Sequence, residues 1–175
     1  MPTRLLGLVA LVAITLSACS PTSPPVQPTP SSRWNPEEQT AVTEATAQYK
    51  KARAAYDAAL QHPETATRAA LEAAGNSGTW LDEAVSRADA LRTQKTRRVG
   101  SVKILSTEPI WVDLTATPAA VVLKTCLDYS AVADHTTNRR LVDAHLAHLP
   151  TGWSLTTESD NPDTAQPPTP NRPLC

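Results

Sequence analysis

Residues 35–60 read NPEEQTAVTEATAQYKKARAAYDAAL, and this stretch predicts the longest helix of the chain. Asn35 is a favourable N-cap, Pro36 suits the first helical position, and two acidic residues follow at the positive end of the helix dipole. Apolar side chains then recur at steps of three and four, which places them on one buried face. These are Val42, Ala45, Tyr49, Ala52, Tyr56 and Ala59. The charged residues assigned to the other faces are Lys50, Lys51, Arg53 and Asp57.

Two shorter helices and then a run of strands are predicted after this helix. Pro63 opens a second helix that ends at Gly75, and a third begins near Thr79 and continues to about Leu91. After Arg98 the apolar period changes from about 3.6 residues to about 2, which is typical of strands. The predicted strands are 99–106, 110–114, 120–130, 139–149 and 152–157, and residues 141–146 also suit a helix. Helices followed by antiparallel strands predict an α+β domain.

The first eighteen residues have the pattern of a cleaved export signal. Arg4 supplies the positive charge, and residues 5–16 form an apolar segment that is shorter than the about 20 residues needed to span a bilayer. The LSAC sequence at residues 16–19 matches the lipobox of bacterial lipoproteins at all four positions. Cys19 is therefore the predicted lipidation site, carrying acyl chains such as palmitate. The alternatives are an ordinary secretory signal or an uncleaved anchor.

The lipobox also predicts the organisation of the remaining chain. Residues 19–33 are a Pro/Ser/Thr-rich tether, residues 34–159 the globular domain, and residues 160–175 a proline-rich tail. Proline-rich segments favour an extended path of about 3.1 Å per residue, so the tether reaches about 40 Å. We expect an extracytoplasmic protein, held at the outer face of the cytoplasmic membrane by its lipid. The formal net charge of −1, with charges of both signs interspersed, argues against a nucleic-acid partner.

The chain contains three cysteines, and the assignment of Cys19 to lipid leaves Cys126 and Cys175. Export brings the domain into an oxidising setting, where two remaining thiols favour one disulfide. Cys126 lies in a predicted strand and Cys175 in the proline-rich tail, so the bond would attach that tail to the sheet. A reactive thiol is the alternative, but no CxxC motif or adjacent basic cluster supports it.

Polar side chains on and near the predicted strands are the candidates for a binding pocket. Asp128 and Tyr129 end the longest strand, where a curved sheet opens, and Asp113 and His145 lie on other strands. We predict that these four residues line a pocket. The concave face of the sheet would be lined by Ile110, Val112, Leu114 and their neighbours and covered by the first helix. The enzymatic alternative requires two polar groups to meet there as an acid–base pair. Its candidates are Asp113, Asp128, Asp134, His135 and His145.

No catalytic residue, metal or cofactor is assigned from the sequence. The DAHLAH sequence at residues 143–148 does not place three ligands together on either a strand or a helix. The chain also lacks a nucleophile elbow, a phosphate-binding loop, a dinucleotide fingerprint and a zinc protease motif. These observations favour a binding module over an enzyme.

The order of these features resembles the small lipoproteins of actinobacteria and of their phages and mobile elements. The residues that carry the resemblance are the lipobox, the WNPEEQ helix start at 34–39, Tyr49, Tyr56, GSVKI at 100–104, CLDYS at 126–130, Arg139, Arg140, Gly152, Trp153 and Cys175. The resemblance implies an extracellular domain with the nuclear-transport-factor-two-like fold, also called the SnoaL-like cone, in which helices cover a curved antiparallel sheet. That fold hosts enzymes, binding domains and scaffolds, so it does not by itself assign a function.

Three functions are compatible with this reading. The first is a membrane-anchored binding or interaction module, with a protein partner at the cell surface or another ligand. The second is a SnoaL-like enzyme that uses a polar pocket in the cone. The third, for a chain encoded by a phage or mobile element, is a surface or superinfection exclusion lipoprotein.

Overall fold

The fold was analysed in a computed structural model that describes residues 33–133, 138–161 and 175. The helices are α1 (Pro36–Gln61), α2 (Arg68–Ala73) and α3 (Gly78–Thr93). The strands are β1 (Lys103–Asp113), β2 (Ala120–Asp128), β3 (Arg139–Leu149) and β4 (Gly152–Asp160). Three helices packed on four antiparallel strands confirm the predicted α+β class. The predictions for Cys19, residues 1–32, Asp134, His135 and residues 162–174 lie outside the described residues.

Helix α1 begins where the sequence predicts, because Asn35 and Glu38 form a reciprocal cap. The Asn35 side chain accepts from the Glu38 backbone N–H at 2.9 Å, and the Glu38 carboxylate accepts from the Asn35 N–H at 2.8 Å. The burial of α1 differs from the prediction at two charged positions. Arg53 and Asp57 are 4% and 7% exposed, so they belong to the buried face and not to the solvated one.

Helix α2 begins at Arg68, five residues later than predicted from Pro63. The intervening backbone is held outside a helix by Arg92, whose guanidinium donates to the carbonyls of Pro63 and Ala66 at 2.9 and 2.8 Å. The helix is followed by Gly75, as predicted, with φ +85°. A side chain there would be strained by this φ, and its Cβ, 1.8 Å from the amide nitrogen of Gln48, would also require the Gln48 side chain to move.

The four strands form one antiparallel sheet in the order β1-β2-β3-β4. Residues 139–149 are a strand, which excludes the helical alternative for residues 141–146. The predicted break at residues 107–109 is wrong, since β1 runs through it without interruption. A proline is tolerated there because β1 is an edge strand, where one side of the backbone has no ladder partner. The pairing of β1 with β2 is irregular at two places. The register shifts between Ile104 and Ser106 and again between Pro109 and Trp111.

The inner face of the sheet packs against α1 and α3 to form the core. Its fully buried members on β2, β3 and β4 include Val121, Leu123, Val142, Leu146 and Leu155. Val112 and Leu114, predicted to line the concave face, are partly buried against this core. The opposite face of β2 carries Cys126, which is joined to Cys175 by a disulfide with a Cα–Cα distance of 5.2 Å. The predicted cysteine pairing is therefore present.

None of the helices among the described residues is both long enough and apolar enough to cross a membrane.

Candidate functional site: a cavity between the helices and the sheet

A cavity of about 440 Å³ opens between α1, α3, the β3–β4 end of the sheet and the segment after β2. This volume lies within the range of about 300–1,000 Å³ that is usual for small-molecule sites. Its apolar lining is Leu60, Ala90, Leu91, Val132, Ala133 and Val142, and its aromatic lining is Tyr56, Trp80 and Tyr129. The charged and polar lining is Arg53, Glu83, Arg87, Arg98, Arg140, Glu158 and Ser159. The cavity is thus amphipathic, with an apolar body and several fixed charges.

A buried ion pair forms the floor of the cavity. The Arg53 guanidinium contacts the Glu158 carboxylate at 2.5 Å, and the two side chains are only 5% and 6% exposed. The second carboxylate oxygen accepts from the Tyr49 hydroxyl at 3.0 Å. Arg53 also donates to the Tyr129 hydroxyl at 2.8 Å. Buried charges are stable only when paired and hydrogen-bonded in this way.

The floor network also fixes the protonation of its members. Burial, and then the adjacent Glu158 carboxylate, raise the pKa of Tyr49 well above the ordinary tyrosine value, so its hydroxyl stays a neutral donor. Burial by itself would lower the pKa of Arg53. The Glu158 carboxylate and the neighbouring tyrosines have a larger opposite effect, so the pKa of Arg53 is raised. The floor therefore keeps a neutral Tyr49 hydroxyl and a positively charged Arg53 in contact with Glu158.

Three of the lining arginines stack on aromatic rings. The Arg53 guanidinium carbon lies 5.2 Å from the Tyr56 ring centroid and 5.6 Å from that of Trp80. Arg98 lies 5.8 Å from the Tyr56 centroid, and Arg140 lies 5.8 Å from that of Tyr129. Cation–π contacts of this kind hold the guanidinium groups in place without using their N–H donors. The guanidinium N–H groups therefore have orientations that are set by the surrounding structure, and the side chains do not rotate freely.

Arg98 pairs with a carboxylate behind the cavity wall. Its guanidinium forms an ion pair with Asp57, whose other oxygen accepts from the Val102 backbone N–H at 2.9 Å. Burial lowers the pKa of Arg98 below its ordinary value. The Nε–H groups of Arg98 and Arg53 are both buried and have no hydrogen-bond partner within the described ranges. Two of the cavity's arginines thus retain an unsatisfied donor.

The two remaining arginines lie at the rim and are more exposed. Arg87 pairs with Glu83 at 2.6 Å, where the side chains are 59% and 44% exposed. Arg140 pairs with Asp160 at 2.5 Å, where they are 33% and 61% exposed. Ion pairs this exposed contribute little to stability, because water screens them and the side chains lose entropy. Both rim arginines can therefore exchange partners readily.

Of the four predicted pocket-lining residues, Tyr129 lines the cavity and the other three lie elsewhere, which corrects the prediction for them. Asp113 caps the turn after β1, where hydrogen bonds from the hydroxyl and backbone of Thr115 lower the pKa of its carboxyl. Asp128 accepts from Ser130 in the same manner, and its pKa is also lowered. His145 is exposed, at a position that register pairs with Val122 and Thr157. These strand-end carboxylates satisfy local backbone donors, so they do not reach the cavity.

Among the described residues, no group of three or more His, Cys, Asp or Glu side chains lies close enough to hold a metal ion. His148, the second histidine of the DAHLAH segment, instead packs edge-on against Trp153 at 5.1 Å between ring centroids.

The charged residues of the cavity were missed by sequence reasoning. The sequence pattern predicts Arg53 on a solvated face of the helix, as is usual for a charged side chain. Its position indicates the buried face, since it lies four residues after Tyr49 and three before Tyr56. That spacing on an alanine-rich buried face was an available signal. The sequence around Glu158 contains no such signal, because its partner Arg53 is 105 residues away in the sequence.

No protein-family model matches the chain, and no curated protein matches it. A solved structure to which it is similar is the intermembrane space region of the chloroplast protein ARC6. The two are 17% identical with a TM-score of 0.43, and the likeness covers 69% of this chain and 95% of that one.

Proposed function

We propose that this protein is a lipid-anchored binding module at the outer face of the cytoplasmic membrane, whose domain holds a small amphipathic molecule. The observation that carries the binding proposal is the cavity of about 440 Å³ with its preformed charged floor. A site whose polar groups are already fixed loses little entropy when a ligand binds. In this proposal the cavity faces the space outside the membrane, and a protein partner at the cell surface exchanges the ligand with it.

The finer fold that we propose is the SnoaL-like cone. What supports it is the arrangement of helices on one face of an antiparallel sheet with a cavity between the two layers. In such a cone the ligand enters between the helices and the open end of the sheet. The segment after β2, which contributes Val132 and Ala133 to the lining, would form part of that opening.

The proposed location rests on the N-terminal sequence. The lipobox assigns lipid to Cys19, and two acyl chains on one residue are sufficient for stable anchoring. In this proposal the proline-rich segment after Cys19 is the tether between the lipid and the domain. A Cys126–Cys175 disulfide agrees with an oxidising compartment, because such bonds are rare where thiols are kept reduced.

Binding is favoured over the enzymatic alternative by the state of the cavity's carboxylates. In the described lining these are Glu83 and Glu158, and each is held in an ion pair with arginine. A general acid or base has to face its substrate, whereas the two oxygens of Glu158 are occupied by Arg53 and Tyr49, and Glu83 contacts Arg87. We therefore propose a binding site whose charges are structural.

Blocking the cavity mouth tests the binding proposal. Ala90 is exposed on α3 and lines the cavity, so Ala90→Trp places a large side chain at the mouth without disturbing the core. We expect the neutral fluorophore N-phenyl-naphthylamine to bind the wild-type domain, and the variant to weaken binding by about tenfold or more, which is about 1.4 kcal/mol. The measurement is a fluorescence titration of the full-length chain.

The matched control for this test is Ala54→Trp, since Ala54 is also exposed on a helix but does not line the cavity. It should bind the fluorophore as the wild type does. Failure of the wild type to bind, or equal binding by the Ala90 variant, contradicts the proposal.

Replacing Cys19 by serine tests the anchor. The thiol is the only group on that residue that accepts the lipid, so Cys19→Ser should abolish incorporation of an alkyne-tagged palmitate and release the chain from the membrane fraction. Ser23→Ala, in the tether, is the control and should keep both the label and the membrane association. Retention of the label after Cys19→Ser would refute lipidation at this residue.

A further inference from the structure

The charges that line the cavity are unequal in sign. Among the described residues, four arginines and two glutamates line it. The carboxylates that pair with Arg98 and Arg140 are Asp57 and Asp160, and neither belongs to the lining. A cleft lined by more positive than negative groups attracts anions. The cavity therefore favours a negatively charged group over a neutral or positive one.

The inner and outer arginines have different freedom to meet a ligand. Arg53 and Arg98 are tied to buried carboxylates by ion pairs whose side chains are at most 13% exposed. Arg87 and Arg140, at the rim, form the exposed pairs with Glu83 and Asp160, and Arg140 also lies over the Tyr129 ring. A carboxylate that arrives at the rim can replace these weak partners, and arginine binds carboxylate with two parallel hydrogen bonds. The rim arginines are thus the groups free to hold the anion.

Two buried donors reinforce this electrostatic preference. The Nε–H groups of Arg53 and Arg98 have no acceptor in the described part of the chain, and Arg53 is 4% exposed. A buried N–H group without an acceptor is unfavourable in free energy. A ligand oxygen that accepts from such a group in the cavity therefore gains more free energy than it would by accepting from water. This observation concerns the inner arginines and not the rim pairs, and it favours a ligand with acceptor oxygens over a purely apolar one.

The apolar and aromatic part of the lining indicates the chemistry of the rest of the ligand. Leu60, Leu91, Val132 and Val142 form apolar walls, and the Trp80 ring adds an aromatic surface. The volume of about 440 Å³ accommodates a body of the size of a fused two-ring aromatic system. A small, fully hydrated anion would leave this apolar surface in contact with water, which is unfavourable.

We infer that the ligand is an amphipathic organic carboxylate, with its anionic group at Arg87 and Arg140 and its apolar body against the inner walls. This inference rests on the proposed binding function and specifies its ligand class. It assigns to the two rim arginines a binding role that the sequence pattern did not indicate.

The test compares two probes that differ only in charge, 2-naphthoate and its neutral amide, 2-naphthamide. Each is titrated by calorimetry into the full-length chain carrying Cys19→Ser, which lacks the proposed lipid. We expect the carboxylate to bind about tenfold more tightly than the amide, and the preference to shrink as salt is added. The Arg87→Gln/Arg140→Gln double variant should lose the preference while it still binds the amide.

Two controls separate the rim charge from folding. Arg68→Gln removes an arginine that is 51% exposed and likewise paired with carboxylates, but that does not line the cavity, so the preference should remain. Arg140→Lys keeps the positive charge and should retain most of the preference. Thermal unfolding of each variant establishes that it is folded.

The outcomes distinguish this inference from the proposed function. Equal affinity for 2-naphthoate and 2-naphthamide overturns the anion preference and leaves cavity binding intact. A preference that survives loss of both rim arginines overturns their assignment. Failure of both probes, together with failure of the neutral fluorophore, overturns the binding function itself.

Discussion

Glu158→Gln is expected to lower the free energy of unfolding by about 3 kcal/mol, because it leaves Arg53 as an unpaired charge in the interior. The two side chains are 5% and 6% exposed, so water does not replace the lost carboxylate. The substitution keeps the shape of the side chain and removes its charge. Chemical denaturation followed by tryptophan fluorescence measures the change.

The matched control is Glu83→Gln, which removes a carboxylate from an Arg–Glu pair of almost the same length, 2.6 Å, that is largely exposed. Its expected effect is below about 1 kcal/mol, the usual value for surface pairs. Replacing both floor residues, as Arg53→Met with Glu158→Leu, should restore much of the stability lost by Glu158→Gln, because no charge then remains unpaired. Equal losses from Glu158→Gln and Glu83→Gln would show that burial does not govern the floor pair.

Removing the disulfide is the second substitution with a large expected effect. Cys126→Ser with Cys175→Ser should lower the free energy of unfolding by about 2–4 kcal/mol. The cysteines are 49 residues apart in sequence, so the bond restricts a long loop of the unfolded chain. Replacing both residues avoids leaving one member of the pair as a free thiol. Its stability is compared with that of the wild type in the absence of reductant.

Reductant supplies the control for the disulfide prediction. It should destabilise the wild type to the level of the double variant and leave the double variant unchanged. In the native protein without reductant, neither Cys126 nor Cys175 should react with an alkylating agent. Alkylation of either thiol under those conditions would contradict the bond.

The disulfide and the floor pair stabilise the same part of the domain. Cys126 is paired in register with Leu141, next to the rim residue Arg140 on β3. Glu158 lies on β4, which pairs with β3 along its other side. Since β3 and β4 form one wall of the cavity, loss of either interaction should also weaken binding of the neutral fluorophore.

Local chemistry in the sequence was sufficient to predict several elements. Asn35 as N-cap, Pro36 at the first helical position and the acidic residues after it predicted the start of α1, and Asn35 caps the helix as expected. The change of period after Arg98 predicted the succession of helices and strands. The break predicted in β1 at Pro109 was wrong, because a proline ends a strand only where its missing N–H would have paired. Whether it would have paired depends on which strand lies at the edge.

The candidate site was predicted less well than the fold. Asp113, Asp128 and His145 were chosen because they are polar and lie on or near the strands, but each lies away from the cavity. Only Tyr129 was placed correctly at the open end of β2. The charges that matter lie on α1, α3 and the adjoining sheet, at positions where sequence patterns predict solvent exposure. A pattern of polarity cannot distinguish a solvated charge from one that has a buried partner.

The sequence by itself determined the α+β class, the start of α1 and the cysteines available for the disulfide, because each depends on neighbouring residues or on composition. Only the tertiary structure decided that Arg53 and Asp57 are buried and that the rim arginines surround an apolar cavity. The partners of these charges are distant in sequence, 105 residues for Arg53 and Glu158 and 41 for Arg98 and Asp57. A buried charge is stable only beside its partner, and the packing of the helices on the sheet is what brings the partners together.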